Sequence, residues 1–304
     1  MNAYSELPLQ YSQDVWTLMF ARLTEHMTVC LGQNSEDSVR RAVRRMGEER
    51  GRFFFENARQ KNQKADLMAL YSQNCSYCTM DPRSRTRVLC QQPDQYLYEV
   101  DTCPLAGYWG FLGRESEGNW FCEEYQHAQL RGYTEGAGQV NLATRLTYKN
   151  RRENVGFMDD NVCRFSVYYR PSNATERLHD DSFVNGDSTE QIELSTEERM
   201  KDLNWKCIQT CHYILGAIVE DYGEDGKCAF GVALRKLAEE LAAVMRKHAD
   251  DLLQVCDGAF MSSHFPLALD SGSDPIWEQY KDSEARVLVQ DNLLNSLKKS
   301  LNIQ

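Results

Sequence analysis

A cysteine placed directly before a proline is the first feature of the sequence that could carry out chemistry. Cys103 and Pro104 lie in DTCPLAGYWG, where a β-type run gives way to a helical pattern. Proline favours the first turn of a helix, so Cys103 is predicted at or next to the N-cap. A thiol there faces unpaired backbone N–H groups and the positive end of the helix dipole, which lowers a cysteine pKa and supplies thiolate. The alternative is a small apolar residue that closes the strand.

A second candidate group consists of three polar residues in NWFCEEYQHAQLRGY. Glu123, His127 and Arg131 recur at every fourth position and are predicted to share one helix face. A carboxylate one turn from a histidine can orient the ring and raise its basicity, as a general base requires, and the arginine could bind a substrate carboxylate. The alternative is an ordinary solvated ladder of charged side chains.

The other cysteines give weaker signals. Cys75 and Cys78 form a CxxC, but no second pair completes a zinc site, which favours two free thiols or a redox pair. Cys163, in NVCRF, is predicted to point either into the covered face of a sheet or into the same cavity as Cys103. Cys122 is five residues from His127, so a helix would not place the two on one face.

The arginines of VRRAVRRMGEERGR could suggest an anion-binding site. Four of them lie opposite the apolar stripe of the predicted helix and fit a solvated face: Arg40, Arg41, Arg44 and Arg45. Arg50 and Arg52 follow Gly47 near the helix end and could differ. There is no Walker loop, no dinucleotide-binding glycine fingerprint and no HExxH motif, so we predict neither a cofactor nor a metal.

Composition narrows the class of protein. The chain has 304 residues, 42% of them hydrophobic, and a formal net charge of −11. An acidic chain argues against nucleic acid or an anionic membrane surface as the main partner, because both need a cationic footprint. The N-terminus has no basic start followed by an apolar run, and eleven cysteines are spread through long patterned segments. We therefore expect a cytoplasmic protein with reduced thiols.

The elements that must position these residues indicate an α+β fold, with a small, largely antiparallel sheet packed against helices and helical N-terminal and C-terminal parts. The predicted divisions are N-terminal helices at 1–72, an α+β core at 73–172, a linker or long loop at 173–194, and a C-terminal helical region at 195–304. Strands are predicted at Gln95–Cys103, Gly138–Tyr148 and Asn161–Arg170. Helix is predicted from Pro104 to Tyr133, with a polar break at Glu115–Gly118.

The C-terminal region begins with STEE, a capping box. Cys207 and Cys211 lie on an apolar stripe and are predicted core residues. A further helix follows GEDG, and ARVLVQDNLLNSLKKSL is the last. Apolar faces in this region suggest packing onto the core or a homodimer through the helical regions.

Several of these motifs together resemble those of the L-2-amino-thiazoline-4-carboxylic acid hydrolase family. They are VDTCPLAGYWGFLG, NWFCEEYQHAQLRGY and VCRFSVYY, preceded by the arginine-rich VRRAVRRMGEERG, and the resemblance covers about residues 15–170. CRF in a late strand is also similar to the 4-vinyl-reductase-like ligand-binding domains. The C-terminal helices and the segment YKNRRENVGFMDDN depart from the pattern of the hydrolase family.

The resemblance implies a buried cavity between helices and sheet and a hydrolase that opens a thiazoline ring with water to give N-carbamoyl-cysteine. On this sequence the matching motif positions are Cys103, Cys122, His127 and Cys163. Our hypothesis makes Cys103 the nucleophile, or a polarising thiolate, at the amidine carbon and His127 the general base and acid, oriented by Glu123. The candidate substrate-binding residues are Arg131, Cys122, Cys163 and Tyr133.

We therefore predict a cofactor-independent hydrolase acting on the C–N bond of a cyclic amidine, or a related tailoring enzyme of small-molecule biosynthesis. Its partner is a small-molecule substrate. The alternative is a binding or thiol-redox sensor module that uses the same cavity without chemistry.

Overall fold

The computed structural model describes residues 6–72, 81–143, 162–169, 194–267, 280 and 283–303. Its helices are α1 (Leu7–Leu31), α2 (Ser35–Gln60), α3 (Leu67–Ser72), α4 (Pro104–Leu112), α5 (Glu115–Thr134), α6 (Thr196–Asp251), α7 (Gly258–His264), α8 (Glu284–Leu288) and α9 (Asn295–Leu301), with a π-helical segment at Val289–Leu294. Its strands are β1 (Arg85–Gln91), β2 (Gln95–Thr102), β3 (Gly138–Ala143) and β4 (Cys163–Tyr169). This arrangement confirms the predicted α+β class.

The chain packs as two compact units. One unit consists of Met1–Ala42 and Ser195–Gln304, and the other of Val43–Leu194. The sheet belongs to the second unit, which we call the sheet unit, and the first is the helical unit. The predicted CxxC and residues 173–193 of the predicted linker lie outside the described residues.

The sheet has the strand order β1–β2–β4–β3, and every neighbouring pair is antiparallel. The predicted strands at Gln95–Cys103 and Asn161–Arg170 are confirmed as β2 and β4. The first six residues of the predicted strand Gly138–Tyr148 form β3, and residues 144–148 lie outside the described part of the chain. The three predicted strands therefore coincide with β2, β3 and β4 in the described residues.

Aromatic side chains fill the covered face of the sheet. Tyr98 of β2 stacks on Phe165 of β4, with 4.4 Å between ring centroids. Tyr71 of α3 stacks on Tyr96 of β2 at 4.1 Å. Such pairs contribute about 0.5–1.5 kcal/mol beyond the burial of their area. Tyr96 and Tyr98 are buried on the same side of β2, and α3 packs against the sheet on that side.

Strand β1 corrects the prediction of three strands. It lies at the edge of the sheet, pairs with β2, and exposes nearly all of its residues. An edge strand that is exposed on both faces has no alternation of apolar and polar residues, so periodicity cannot reveal it.

The break between α4 and α5 also corrects the prediction, which placed it at Glu115–Gly118. Helix α4 ends at Leu112, and Gly113 follows with φ of 69°, a left-handed conformation that glycine adopts without strain. Glu115 and Glu117 instead form the first turn of α5. Carboxylates are favourable at a helix N-terminus, so this polar run begins a helix.

Three glycines allow α2 and α5 to cross with their backbones in contact. A Cβ on Gly51 would lie 2.0 Å from the carbonyl oxygen of Gln129, and one on Gly132 would lie 2.1 Å from that of Glu48. A Cβ on Gly47 would meet the carbonyl oxygen of Tyr125 at 2.7 Å. We call this crossing the glycine seam. A larger residue at any of these three positions would hold α2 and α5 farther apart.

In the helical unit, both halves of α6 pack against α1. Trp16 Nε1–H donates to Thr210 Oγ1 of the first half at 3.0 Å, and the Arg22 guanidinium binds Glu240 of the second half, with Nε 3.0 Å from Oε2. Gly223, with φ of 55° and ψ of −133°, interrupts α6 between the halves. The prediction of two successive helices in this region is confirmed.

Local sequence signals at the start of α6 are confirmed. Ser195 Oγ accepts a hydrogen bond from the backbone N–H of Glu198 at 3.2 Å, and the Glu198 carboxylate accepts one from the N–H of Ser195 at 2.8 Å. Cys207 and Cys211 are buried in the core, as predicted. Burial raises the pKa of the Cys211 thiol to about 12, so this thiol stays protonated and unreactive.

A buried histidine near the end of α6 stacks on the first turns of α1. The rings of His248 and Tyr11 are parallel, with 4.0 Å between centroids, and the ring of His264 lies 5.3 Å from that of His248. In the part of the chain that the structure describes, Nε2 of His248 and the hydroxyl of Tyr11 have no hydrogen-bond partner. Burial, and then the proximity of His264, lower the pKa of His248 to about 4.

We expect acid to destabilise the protein through His248. The folded pKa of about 4 lies below the ordinary value of 6.5, so the unfolded chain binds more protons between these two pH values. The free energy of unfolding therefore falls as the pH falls through this window. Urea unfolding of the wild type and of His248→Phe, which keeps an aromatic ring stacked on Tyr11, measures this dependence of stability on pH. The difference in stability between them should change in favour of the variant as the pH drops, and parallel pH profiles would contradict the assignment.

Candidate functional site

Cys103 lies at the N-cap of α4, as predicted. Its backbone is extended, with φ of −118° and ψ of 110°, and Pro104 is the first helical residue. The Cys103 Sγ accepts a hydrogen bond from the backbone N–H of Ala106 at 3.5 Å. Cys103 is half-buried, so its thiol is attached to the helix end while part of the residue reaches the surface. This confirms the cap geometry on which the nucleophile hypothesis depends.

An aromatic contact with α5 contributes to the position of α4, and therefore of the thiol. Trp109 is buried and packs edge-on against Phe121, with 5.7 Å between ring centroids. Gly118 lies under the same indole, since a Cβ there would be 2.2 Å from Trp109 Cε3. A residue with a side chain at position 118 would push α4 away from α5, and Cys103 with it.

Cys163 lies at the same end of the sheet as Cys103. It is the first residue of β4, it pairs with Val100 of β2, and it is buried on the covered face. Cys103 follows Val100 by three residues, just beyond the last residue of β2. The sequence left two positions open for Cys163, the covered face of the sheet or a cavity shared with Cys103, and the structure places it on the covered face.

Glu123, His127 and Arg131 share the exposed side of α5, as their spacing predicts. The Arg131 guanidinium lies 3.6 Å from the Glu48 carboxylate, measured from Nε to Oε1. Among the described residues, the side chains of Glu123 and His127 form no hydrogen bond or ion pair. Helix α4 packs against the opposite, buried side of α5 through Trp109. The structure thus gathers these three residues on one surface but does not bring His127 into contact with Cys103.

A groove of about 420 Å³ lies beside the glycine seam and includes Arg131. Phe55 forms its buried floor, and Glu48 lies between Arg131 and Arg52, with 3.2 Å from the Glu48 carboxylate to Arg52 Nη2. The guanidinium groups of Arg52 and Arg131 are both largely exposed. Glu48 neutralises part of their charge, which weakens the groove as a carboxylate-binding site.

Two more of the predicted substrate-binding residues, Tyr133 and Cys122, lie on α5. Tyr133 is buried, and its hydroxyl donates to the backbone carbonyl oxygen of Asp66 at 3.0 Å. Its ring meets that of Phe55 edge-on at 5.9 Å. These contacts give Tyr133 a structural role in holding α5 against the residues before α3. Cys122 is half-buried on the same helix.

The arginines of α2 form ion pairs, as a solvated charged face would. Arg44 contacts Glu124 of α5 at 2.9 Å, and Arg40 contacts Glu36 one turn earlier in α2 at 2.8 Å. Arg50 is buried, and its guanidinium lies over the ring of Phe54 at 4.3 Å from the centroid. Within the described ranges, no group of three or more His, Cys, Asp or Glu side chains is arranged to hold a metal ion.

A buried carboxylate on the other face of the sheet has no counterpart in the sequence analysis. Glu99 of β2 accepts hydrogen bonds from Arg87 of β1 and, at 2.6 Å, from Arg164 of β4. These bonds, first that from Arg87, lower the pKa of Glu99. In the sequence these three residues lie in three separate segments. Their contact depends on the strand order β1–β2–β4, which the sequence does not state.

One family model matches part of the chain. Residues 11–151 match the model described as L-2-amino-thiazoline-4-carboxylic acid hydrolase, which supports the resemblance over these residues, and the motif VCRFSVYY lies beyond them. The matched segment includes Cys103 and the whole of α5. No curated protein and no solved structure gave a significant match. In the described part of the chain, every helix is too short or too polar to cross a membrane.

Proposed function

We propose that the protein is a small-molecule hydrolase that opens a cyclic amidine, such as a thiazoline, with Cys103 as its nucleophile. The family name of the matched segment supports hydrolysis of a thiazoline carboxylic acid. The observation that carries the assignment to Cys103 is its Sγ at the N-terminus of α4, where it accepts the N–H of Ala106. Backbone N–H groups at a helix N-terminus favour the charged form of such a group over the neutral one.

The proposed reaction has two steps. The Cys103 thiolate adds to the amidine carbon and the ring C–S bond breaks, which leaves an isothiourea on the enzyme and a thiolate on the substrate. Water then adds to the same carbon, the bond to Cys103 Sγ breaks, and N-carbamoyl-cysteine leaves. The net change is the addition of one water. Both C–N bonds of the amidine survive in this product, so the C–N cleavage that the sequence suggested would apply to other cyclic amidines.

The second step needs a base that deprotonates water. His127, oriented by Glu123, is the residue that the sequence proposes, and Arg131 is the proposed ligand of the substrate carboxylate. Both lie on the exposed side of α5, so their roles stay predictions that the variants below test. A cytoplasmic location, independence of cofactors and a homodimer through the helical regions likewise stay predictions from the sequence.

We expect Cys103→Ser to lower kcat/KM for L-2-amino-thiazoline-4-carboxylate by roughly a thousandfold or more, because a hydroxyl at the same position is a far weaker nucleophile. His127→Ala should lower it about 10²–10⁴-fold if His127 transfers the proton. Mass spectrometry of N-carbamoyl-cysteine formation measures both. Cys30→Ser, which changes an exposed cysteine of the helical unit, is the matched control and should be unchanged.

Two results would contradict the proposal. Full turnover by Cys103→Ser would exclude this thiol as the nucleophile. Ligand binding without turnover by the wild type, across a series of cyclic amidines, would support the second candidate function, a binding or thiol-redox sensor module.

A further inference from the structure

The groove beside the glycine seam has charges of opposite sign at its two ends. It has a volume of about 420 Å³ and is lined by one face of α2 and by the last turns of α5. Arg52 and Arg131, with Glu48 between them, form the first end. Glu56 and Glu135 lie one turn farther along α2 and α5 and bring two carboxylates to the second end.

Contacts across the glycine seam establish this order. Gly47 lies against Tyr125, and two turns later in both helices the ring of Phe55 meets that of Tyr133. Residues that come later in α2 therefore lie beside residues that come later in α5. The two carboxylates of the second end follow Phe55 and Tyr133 by one and two residues, so they belong to the same part of the groove.

Glu135 occupies a backbone position that suits a different residue. It follows the last residue of α5 with φ of 50° and ψ of 30°, the left-handed conformation in which glycine or asparagine is usual. Its carboxylate also lies at the negative end of the helix dipole, where a cation is favourable. Both effects destabilise this position, and a bound cation offsets the second of them. The negative charge also acts on a neighbour, because burial and then Glu135 raise the pKa of Tyr169 to about 12.

The floor of the groove is apolar. Phe55 is buried there, and Arg59 lies over its ring at 5.8 Å from the centroid. The Arg59 guanidinium also pairs with Glu56, with 3.4 Å from Nη1 to Oε2. This pair compensates part of the charge of Glu56, so Glu135 contributes most of the attraction for a cation at the second end.

We propose that this groove is a binding site for a small zwitterion of the α-amino acid type. The carboxylate of the ligand lies between the guanidinium groups of Arg52 and Arg131. Its ammonium group lies at Glu135, and its side chain covers Phe55. A simple carboxylate gains little here because Glu48 opposes it, whereas a zwitterion meets an opposite charge at each end. Binding of the zwitterion needs neither the thiol nucleophile nor turnover.

Three compounds that differ mainly in charge test this assignment. L-leucine carries both charges, L-leucinamide lacks the carboxylate, and N-acetyl-L-leucine lacks the ammonium group. Isothermal titration calorimetry of the full chain at neutral pH gives the Kd of each. We expect a Kd for L-leucine on the order of 0.1–1 mM, because the charged groups of the groove are largely exposed. Each analogue should bind at least about fivefold more weakly, since it loses one of the two charged contacts.

Variants assign each charge of the ligand to one end of the groove. Glu135→Gln keeps the shape of the side chain and should remove the preference for L-leucine over N-acetyl-L-leucine without weakening the binding of the second. Arg52→Gln should weaken both of these carboxylates and leave L-leucinamide unchanged. Asp94→Asn removes an exposed carboxylate elsewhere in the sheet unit and is the matched control, with all three Kd values unchanged. Arg131 stays intact in every variant, because the proposed function also uses it.

Glu135→Gly separates a ligand contact from a structural role. Glycine suits the left-handed backbone, so this variant should unfold at a higher temperature and still lose the preference for the zwitterion. A fall in the unfolding temperature together with the loss of binding would assign Glu135 to the structure of the α5 end and overturn its role in the site.

The proposed function and the groove site fail separately. Equal Kd values for the three compounds, or binding of none of them, would overturn the groove site, and turnover of a thiazoline would still support Cys103. A loss of the preference in Asp94→Asn equal to that in Glu135→Gln would also overturn the site. If Cys103→Ser binds L-leucine with the Kd of the wild type, the groove site stands whether or not the wild type hydrolyses a cyclic amidine.

Discussion

Replacing Gly132 or Gly51 with alanine is expected to destabilise the sheet unit by at least about 3 kcal/mol, the upper part of the range for overpacking in a well-packed core. The added Cβ would lie 2.1 Å from the carbonyl oxygen of Glu48 in the first variant and 2.0 Å from that of Gln129 in the second. The obstructing atoms belong to helix backbones, which cannot rotate away as a side chain does. The two helices must separate, and the packing of the glycine seam is lost.

Urea unfolding followed by circular dichroism measures this effect. Gly107→Ala is the matched control in the same unit, because a Cβ there meets nothing within 4 Å. Alanine is the better helix former, so the control should gain about 0.5–1 kcal/mol. A loss of less than about 1 kcal/mol for both seam variants would show that α2 and α5 do not cross at the distance described here.

Removing the carboxylate of Asp202 is expected to cost about 3–5 kcal/mol, the typical penalty for breaking a buried ion pair from one side. Lys206 lies one turn after Asp202 in α6, with 2.9 Å between Nζ and Oδ2, and its side chain is 2% exposed. Asp202→Ala leaves an ammonium group in a place that water hardly reaches. The cost is the desolvation of that charge, which its partner no longer offsets.

A double variant distinguishes this cause from a simple loss of packing. Asp202→Leu with Lys206→Met replaces both charges by apolar side chains, and it should recover most or all of the stability lost in Asp202→Ala. The free energies of unfolding of the wild type, Asp202→Leu, Lys206→Met and the double variant form the cycle. Additive losses in the double variant would mean that the two side chains do not interact.

Local signals in the sequence predicted the elements that follow from a few neighbouring residues. Pro104 placed Cys103 at the N-cap of α4, and the capping box at Ser195 marked the start of α6. Helix and strand periodicity located α1, α2, β2 and β4, whose apolar residues recur at helix or strand spacing. Strand β1 was not predicted, because its residues are exposed on both faces. The turn after α4 was predicted too late in the sequence, because acidic residues suit a helix start as well as a loop.

The functional residues divide in the same way. The sequence by itself determined that Glu123, His127 and Arg131 share a helix face and that Cys103 caps a helix, since both follow from the geometry of one helix. Only the tertiary structure decided which side of α5 faces α4, and this depends on Trp109 packing over Gly118. Contacts between helices are set by the shapes of many side chains at once, which no spacing within one segment encodes.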